Sequence, residues 1–243
     1  MTVLADRQVD AVYHYAPLHY LIFIARSQSI LSKPSLHKAG FTTSHLRSMS
    51  HGLDAARGFG SYSHLTIDAQ PRILRAKLAA GFPHIAISIP ASEIDAVSFS
   101  LCRFNVAMTR QLRRDGKDGF PESETNGRYY PSHQIPIART AADKSKMLKK
   151  HLQENTMIEV LVHGDFNLSD ETSILCFAEE DARIARQILV SLDRKWAVKV
   201  EKSPGPYPRD GKHVAAVTAF IRQAEDDPNW RGNGLEFDRL KPK

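Results

Sequence analysis

Apolar and polar positions alternate in some stretches of this chain and recur every three to four residues in others, so strands and helices are both expected. Val9 to His14 alternates loosely and predicts a strand. From Leu18 to Ser29 the apolar positions Leu18, Leu21, Ile22 and Ala25 follow helical spacing, and the Lys33-Pro34 step after Ile30 and Leu31 predicts the end of that helix. Ser61 to Ile67 reads as a strand, with Tyr62, His64 and Thr66 set against Leu65 and Ile67. Pro71 to Ala80 predicts a short helix, with proline early and Gly81 just past its end. His84 to Ile89 is a strand bounded by Pro83 and Pro90, and Ala91 to Asp95 a small helical turn.

The second half changes character at Asp115. From there to Pro136 the chain holds Gly116, Gly119, Pro121, Gly127 and Pro131 and carries little periodicity, which predicts a long loop of the kind that often serves function. Thr140 to Gln153 predicts a basic helix, and Met157 to Val162 a strand with one carboxylate in its middle. Glu179 to Leu192 is a helix with Ala182, Ala185, Ile188 and Leu189 toward the core. A last strand over Trp196 to Val200 is followed by a Pro/Gly-rich turn to Gly211, a helix from His213 to Ala224, and a polar tail from Asp226 expected to be loosely held. The sum is a mixed α+β protein. Residues 1–202 are expected to form one domain, with the helix and tail of 203–243 packed on it.

Composition narrows the classes. At 243 residues the chain can bury one sizeable core or two small ones. No apolar run reaches the roughly 18 residues a membrane span needs, which leads to the expectation of a cytoplasmic protein. Cys102 and Cys176 are isolated and lack CxxC spacing, so buried reduced thiols are expected rather than a zinc site or a disulfide framework. No glycine-rich fingerprint follows a strand, which removes a Rossmann domain and a P-loop. The formal net charge is +6, and cations cluster at Arg103, Arg110, Arg113, Arg114 and Lys117 and again at Lys144, Lys146, Lys149 and Lys150. Each cluster alone reads as a solvated helix face; together they suit a polyanion.

Three features carry candidate chemistry. Glu159 stands in the apolar run Met157-Ile158-Glu159-Val160-Leu161-Val162, either facing solvent from a one-sided sheet or held in a pocket. Tyr13-His14 ends the first strand, and Arg57-Gly58 precedes the turn into the next one. Glu154, outside the strand, is the weaker carboxylate.

The order of these features resembles the DarT family of ADP-ribosyltransferases. Val12-Tyr13-His14-Tyr15-Ala16-Pro17-Leu18, followed by Ser29-Ile30-Leu31, looks like that family's opening strand and helix. Asp54-Ala55-Ala56-Arg57 and then Gly60-Ser61-Tyr62-Ser63-His64-Leu65-Thr66-Ile67 look like its arginine and following strand; Pro71-Arg72-Ile73-Leu74 and Glu159-Val160-Leu161-Val162 fall where it has two further motifs. The resemblance runs from about Ala11 to Leu192. There are departures: the family's aromatic strand is replaced by His64-Leu65-Thr66, and its histidine downstream has no counterpart, Asn105 lying near that place.

The resemblance implies an ADP-ribosyltransferase fold, a split antiparallel β-sheet with flanking helices around an NAD cleft. It implies NAD⁺ as co-substrate and no metal. Glu159 would be the catalytic carboxylate, with Arg57 on the diphosphate, His14 and Tyr13 on the cofactor, and Tyr62, His64 and Ile73 walling the nicotinamide. The acceptor would be single-stranded nucleic acid. Tyr129 and Tyr130 would stack on a base, and Arg113, Arg114, Lys149 and Lys150 would follow the phosphates. RNA is slightly preferred over DNA, because Gly81 to His84 resembles phage-defence relatives that modify messenger RNA. A toxin of this kind implies an antitoxin protein and a chaperone as partners. The alternatives are a transferase with a protein acceptor and a non-catalytic, basic nucleic-acid-binding protein of the same fold.

Overall fold

A computed structural model describes residues 2–41, 58–103, 137–154, 158–208 and 211–231. The chain opens on a 3-10 turn, Ala5–Arg7, whose leading N–H groups are held by Asp95, with Leu4 N 3.1 Å from both carboxylate oxygens. Strand β1 (Ala11–Pro17) runs through a second 3-10 turn (Leu18–Tyr20) into helix α1 (Leu21–Ser27), the short strand β2 (Ser29–Ile30) and helix α2 (Lys33–Lys38). Pro34 therefore begins a helix rather than ending one. In the first turn its missing N–H is not needed and its fixed φ already fits.

Strand β3 (Tyr62–Thr66), helix α3 (Arg72–Ala79), strand β4 (His84–Pro90), helix α4 (Ala91–Asp95) and strand β5 (Phe99–Cys102) follow. Then come β6 (Ile137–Ala138), helix α5 (Ala141–Glu154), β7 (Glu159–His163), β8 (Phe166–Asn167), β9 (Ser173–Cys176), helix α6 (Glu179–Ser191), β10 (Ala197–Val200) and helix α7 (Gly211–Asp226). Strands β5 and β9 were not foreseen. Every residue of β9 is buried, and all but one of β5, so neither shows the alternation that marks a one-sided strand.

Eight strands form one sheet in the order β10-β9-β4-β1-β3-β7-β5-β6, and β2 pairs with β8 apart from it. Neighbours are antiparallel except β9 and β10, which α6 connects in parallel, as a crossover helix allows. Strand β1 is in register with β4 along its whole length, from Ala11↔Pro90 to Pro17↔His84. Strand β3 is equally in register with β7, from Tyr62↔His163 to Thr66↔Glu159. Between β1 and β3 a single pair, Tyr13↔Thr66, joins the two halves. The sheet is split there.

The strands alternate between two apolar layers. Ile85, Ile87 and Ile89, with Val160 and Val162, face the larger one, where Ile22 of α1, Ile188 of α6 and Ile221 of α7 cover the sheet. On the other face Ala86, Leu175 and Phe177 meet Leu74 and Leu78 of α3. Cys102 and Cys176 are both buried free thiols, and burial pushes the Cys176 thiol up to about 12, which keeps it protonated and unreactive. The tail expected to be loose from Asp226 is held as far as Arg231. The Trp230 ring lies 4.5 Å from that of Phe220 in an edge-on contact, and Arg231 Nε donates to the carbonyl of Ala39 at 2.7 Å. No helix among the described residues is long and apolar enough to cross a membrane.

Candidate active site

Where β1 and β3 part, backbone groups lose their ladder partners, and a buried carbonyl needs another donor. The His14 ring supplies it. Its Nδ1 lies 3.0 Å from the carbonyl oxygen of His64 and donates to it. Burial holds the His14 pKa below its ordinary value, so the ring is neutral. With the proton on Nδ1, Nε2 is left as an acceptor on a ring that lines the cleft.

Glu159 and His64 meet across β3 and β7. His64 is registered with Leu161 and Thr66 with Glu159, so His64 and Glu159 are diagonal neighbours on one face. His64 Nδ1 lies 2.8 Å from Glu159 Oε1. Its Nε2 lies 3.2 Å from the carbonyl oxygen of Phe59. Both ring nitrogens thus face acceptors, the carboxylate on one side and a main-chain carbonyl on the other. The contact from His64 gives a polar partner to a carboxylate that is only 4% exposed. On the same strand Val160 and Val162 turn into the main core, as does Ile158 just before it. Strand alternation is thus what puts Glu159 on the cleft side.

These residues open into a cavity of about 590 Å³ lined by His14, His64 and Glu159 at the split and by Phe23, Phe41 and Tyr62 among its apolar walls. Ser63 fastens that wall: its Oγ lies 2.9 Å from the carbonyl oxygen of Ile30 and 2.7 Å from that of Gly164, and its single O–H donates to one of them. Arg26, Lys33 and Arg231 bring cations to the same lining. The volume suits an organic cofactor or substrate, for which cavities run to roughly 300–1,000 Å³.

The expected site is thus brought together in part. Glu159, His14, His64 and Tyr62 share one cavity. Tyr13 does not line it: its ring packs against the layer of Leu74, Ala86 and Phe177, because Tyr13 and His14 leave β1 on opposite faces. His64, expected as a wall for the nicotinamide, lines the cavity and also contacts the carboxylate of Glu159. Ile73 lies in α3, but its side chain is outside the described residues. Arg57, Arg113, Arg114, Tyr129 and Tyr130 also lie outside them. Lys149 and Lys150 are exposed on α5 and do not line the cavity. The sequence reading missed Arg26, Lys33 and Arg231. Arg26 lies on a helix read only for its apolar stripe, and Arg231 in a tail set aside as polar.

No protein-family profile matches the sequence, and no curated protein is significantly similar to it. Solved structures are. The chain superposes on Thermus sp. 2.9 DarT in complex with ADP-ribosylated ssDNA with a TM-score of 0.53 at 13% identity, covering 80% of this chain and 95% of that one. Two further structures of that protein, in complex with NAD⁺ and with carba-NAD⁺, each give a TM-score of 0.51 at 11% identity, covering 79% of this chain and 96% of the other. The fold is that of DarT. At such identity the likeness lies in the path of the chain.

Proposed function

We propose that the protein is an ADP-ribosyltransferase that takes NAD⁺ as its co-substrate and modifies a nucleobase in single-stranded nucleic acid. The observation that carries this reading is the position of Glu159, a buried carboxylate held by His64 on the lining of the cavity at the split of the sheet. The DarT fold supports it, since the Thermus protein of that fold has been seen with NAD⁺ and with ADP-ribosylated ssDNA.

The chemistry fits the residues. The bond between nicotinamide and ribose breaks with its electron pair leaving on the nicotinamide nitrogen, and positive charge develops on the ribose. A carboxylate aimed at that ribose stabilises this oxocarbenium-like state, as carboxylates do in glycoside hydrolysis. Glu159 does this and accepts a hydrogen bond from the ribose 2′-OH. A lone pair of the base then takes C1′, and the base's proton passes to solvent. His14, with Nε2 as acceptor, takes a hydrogen bond from the nicotinamide amide or from a ribose hydroxyl. Tyr62 walls the nicotinamide. Arg57 holds the diphosphate.

A base in a single strand reaches the cleft without the cost of leaving a duplex. Single-stranded DNA is the acceptor we infer first, from the Thermus complex. RNA is the second reading and rests on the Gly81–His84 turn. That turn closes α3 onto β4, and His84 is not part of the cavity lining. Modification of a cell's own bases is toxic, so a neutralising protein partner and a toxin–antitoxin or phage-defence setting follow from the activity. Incubation with labelled NAD⁺ and separate pools of DNA, RNA and protein, followed by nuclease or protease digestion, tests the reading. Label released by nuclease is the expected result. Label released only by protease assigns a protein acceptor, and no label in any pool leaves a non-catalytic binding protein.

A further inference from the structure

Two arginines on the cavity wall are tied to the C-terminal part of the chain, and the chemistry of Glu159 gives them no role. Arg26, at the end of α1, donates from Nη2 to the carbonyl of Ala224 near the end of α7. Its Nη1 is buried and has no hydrogen-bond partner among the described residues. Arg231 donates from Nε to Ala39 O at 2.7 Å and from Nη1 to Pro228 O at 2.7 Å and Trp230 O at 3.2 Å. These bonds leave its Nη2 uncommitted to any described residue. Its guanidinium sits 5.9 Å from the ring centroid of Phe23 and 5.4 Å from that of Phe41, within cation–π reach of both.

A buried donor without an acceptor is costly, and interiors rarely keep one unless something else fills the place. Among the described residues of the cavity lining, Glu159 is the sole carboxylate, and His64 already faces it. Arg26 and Arg231 therefore bring positive charge to a lining whose described carboxylate is already faced by His64.

We propose that Arg26 and Arg231 form an anion subsite for the diphosphate of the dinucleotide, so that the segment following α7 is a working wall of the co-substrate cleft. This rests on the reading of the cavity as an NAD⁺ site. It goes beyond that reading by placing cations of its own, independent of Arg57, in the described part of the chain. A guanidinium suits the task because it stays charged and keeps donors to spare: with other nitrogens bound to carbonyls, Nη1 of Arg26 and Nη2 of Arg231 still carry N–H groups for phosphate oxygens.

The test is calorimetric titration of the full chain and of Arg26→Ala, Arg231→Ala and Arg231→Lys with ADP and with nicotinamide riboside. The first ligand carries a diphosphate and no nicotinamide; the second carries nicotinamide and no phosphate. Each alanine variant is expected to bind ADP at least about tenfold more weakly and nicotinamide riboside as well as the unaltered chain does. Arg231→Lys should regain part of the loss. Melting temperatures identify any variant that no longer folds, and the other arginine then decides. Equal losses for both ligands overturn the proposal, because the segment then only closes the cavity. So do unchanged ADP affinities, or no ADP binding by the unaltered chain. Arginine-dependent ADP binding by a protein that never cleaves NAD⁺ upholds the subsite and removes the transferase reading. Transfer from NAD⁺ with arginine-independent ADP binding does the reverse.

Discussion

His64 Nδ1 lies 2.8 Å from Glu159 Oε1, while the main-chain carbonyl of His64 accepts from His14 Nδ1 at 3.0 Å. One residue thus ties the two halves of the split sheet to the carboxylate between them. Its backbone is held from β1 and its ring holds Glu159 on β7.

Replacing His64 removes the donor that orients this carboxylate. His64→Phe should leave the fold intact and lower turnover about tenfold to a hundredfold, with little change in the KM for NAD⁺. His64→Gln, whose amide N–H can still donate, should recover part of the rate. Steady-state kinetics on both variants at matched melting temperatures check this. Equal rates for Phe and Gln would show that the ring acts by bulk alone.

The fold was legible where periodicity was clean. Glu179–Ser191 and Ala141–Glu154 lie within a residue or two of their expected limits because one face of each helix is apolar and the other is not, and His84–Pro90 does so because Pro83 and Pro90 bound its apolar run. It was illegible where burial is two-sided, as in β5 and β9, and where Pro34 starts a helix instead of stopping one. Of the site, Glu159 stood out as a charge in an apolar run, and the structure shows it buried on the cleft. What the sequence concealed is relational. The pairing of His64 with Glu159 depends on strand register, and Arg231 reaches the cavity from some two hundred residues beyond β1 only because Trp230 packs on Phe220.

Acid should destabilise the protein before its carboxylates titrate. Burial lowers the pKa of His19 from 6.5 to about 3 and of His84 to about 4, so both stay neutral in the native state. In the unfolded chain they take up protons near pH 6.5. A histidine with a depressed folded pKa contributes stability that is full above the unfolded value and is lost as pH falls toward the folded one. Between about pH 6 and 4 each should therefore steepen the loss toward about 1.4 kcal/mol per pH unit. Urea unfolding at a series of pH values reads this slope, and stability that is flat or rising on acidification contradicts it.

Arg57 lies outside the described residues, and its role is tested by binding. Arg57→Ala should raise the KM for NAD⁺, and Arg57→Lys should recover it only in part, because lysine lacks the planar fork. Arg47, ten residues earlier, is the competing arginine. Calorimetric titration of NAD⁺ into both alanine variants separates them, since lost binding in the Arg47 variant alone reassigns the role.

Tyr129 and Tyr130 are expected to stack on the acceptor strand, at about 1–3 kcal/mol per engaged base. The double alanine variant should modify single-stranded DNA and RNA more slowly while cleaving NAD⁺ as before. Rates on matched single strands and duplexes check this. A duplex preferred over both single strands removes the single-strand reading, and unchanged rates clear the tyrosines of any acceptor role.

Glu159 is the group on which the proposed chemistry depends, and the most direct test is transfer of labelled ADP-ribose to single-stranded nucleic acid by Glu159→Gln. Glutamine keeps the shape and a hydrogen-bonding oxygen but carries no charge to set against the developing oxocarbenium. The variant should melt with the unaltered chain, bind NAD⁺ with similar affinity, and transfer at least about a hundredfold more slowly. Turnover equal to that of the unaltered protein at the same melting temperature would contradict the assignment of Glu159 as the catalytic carboxylate.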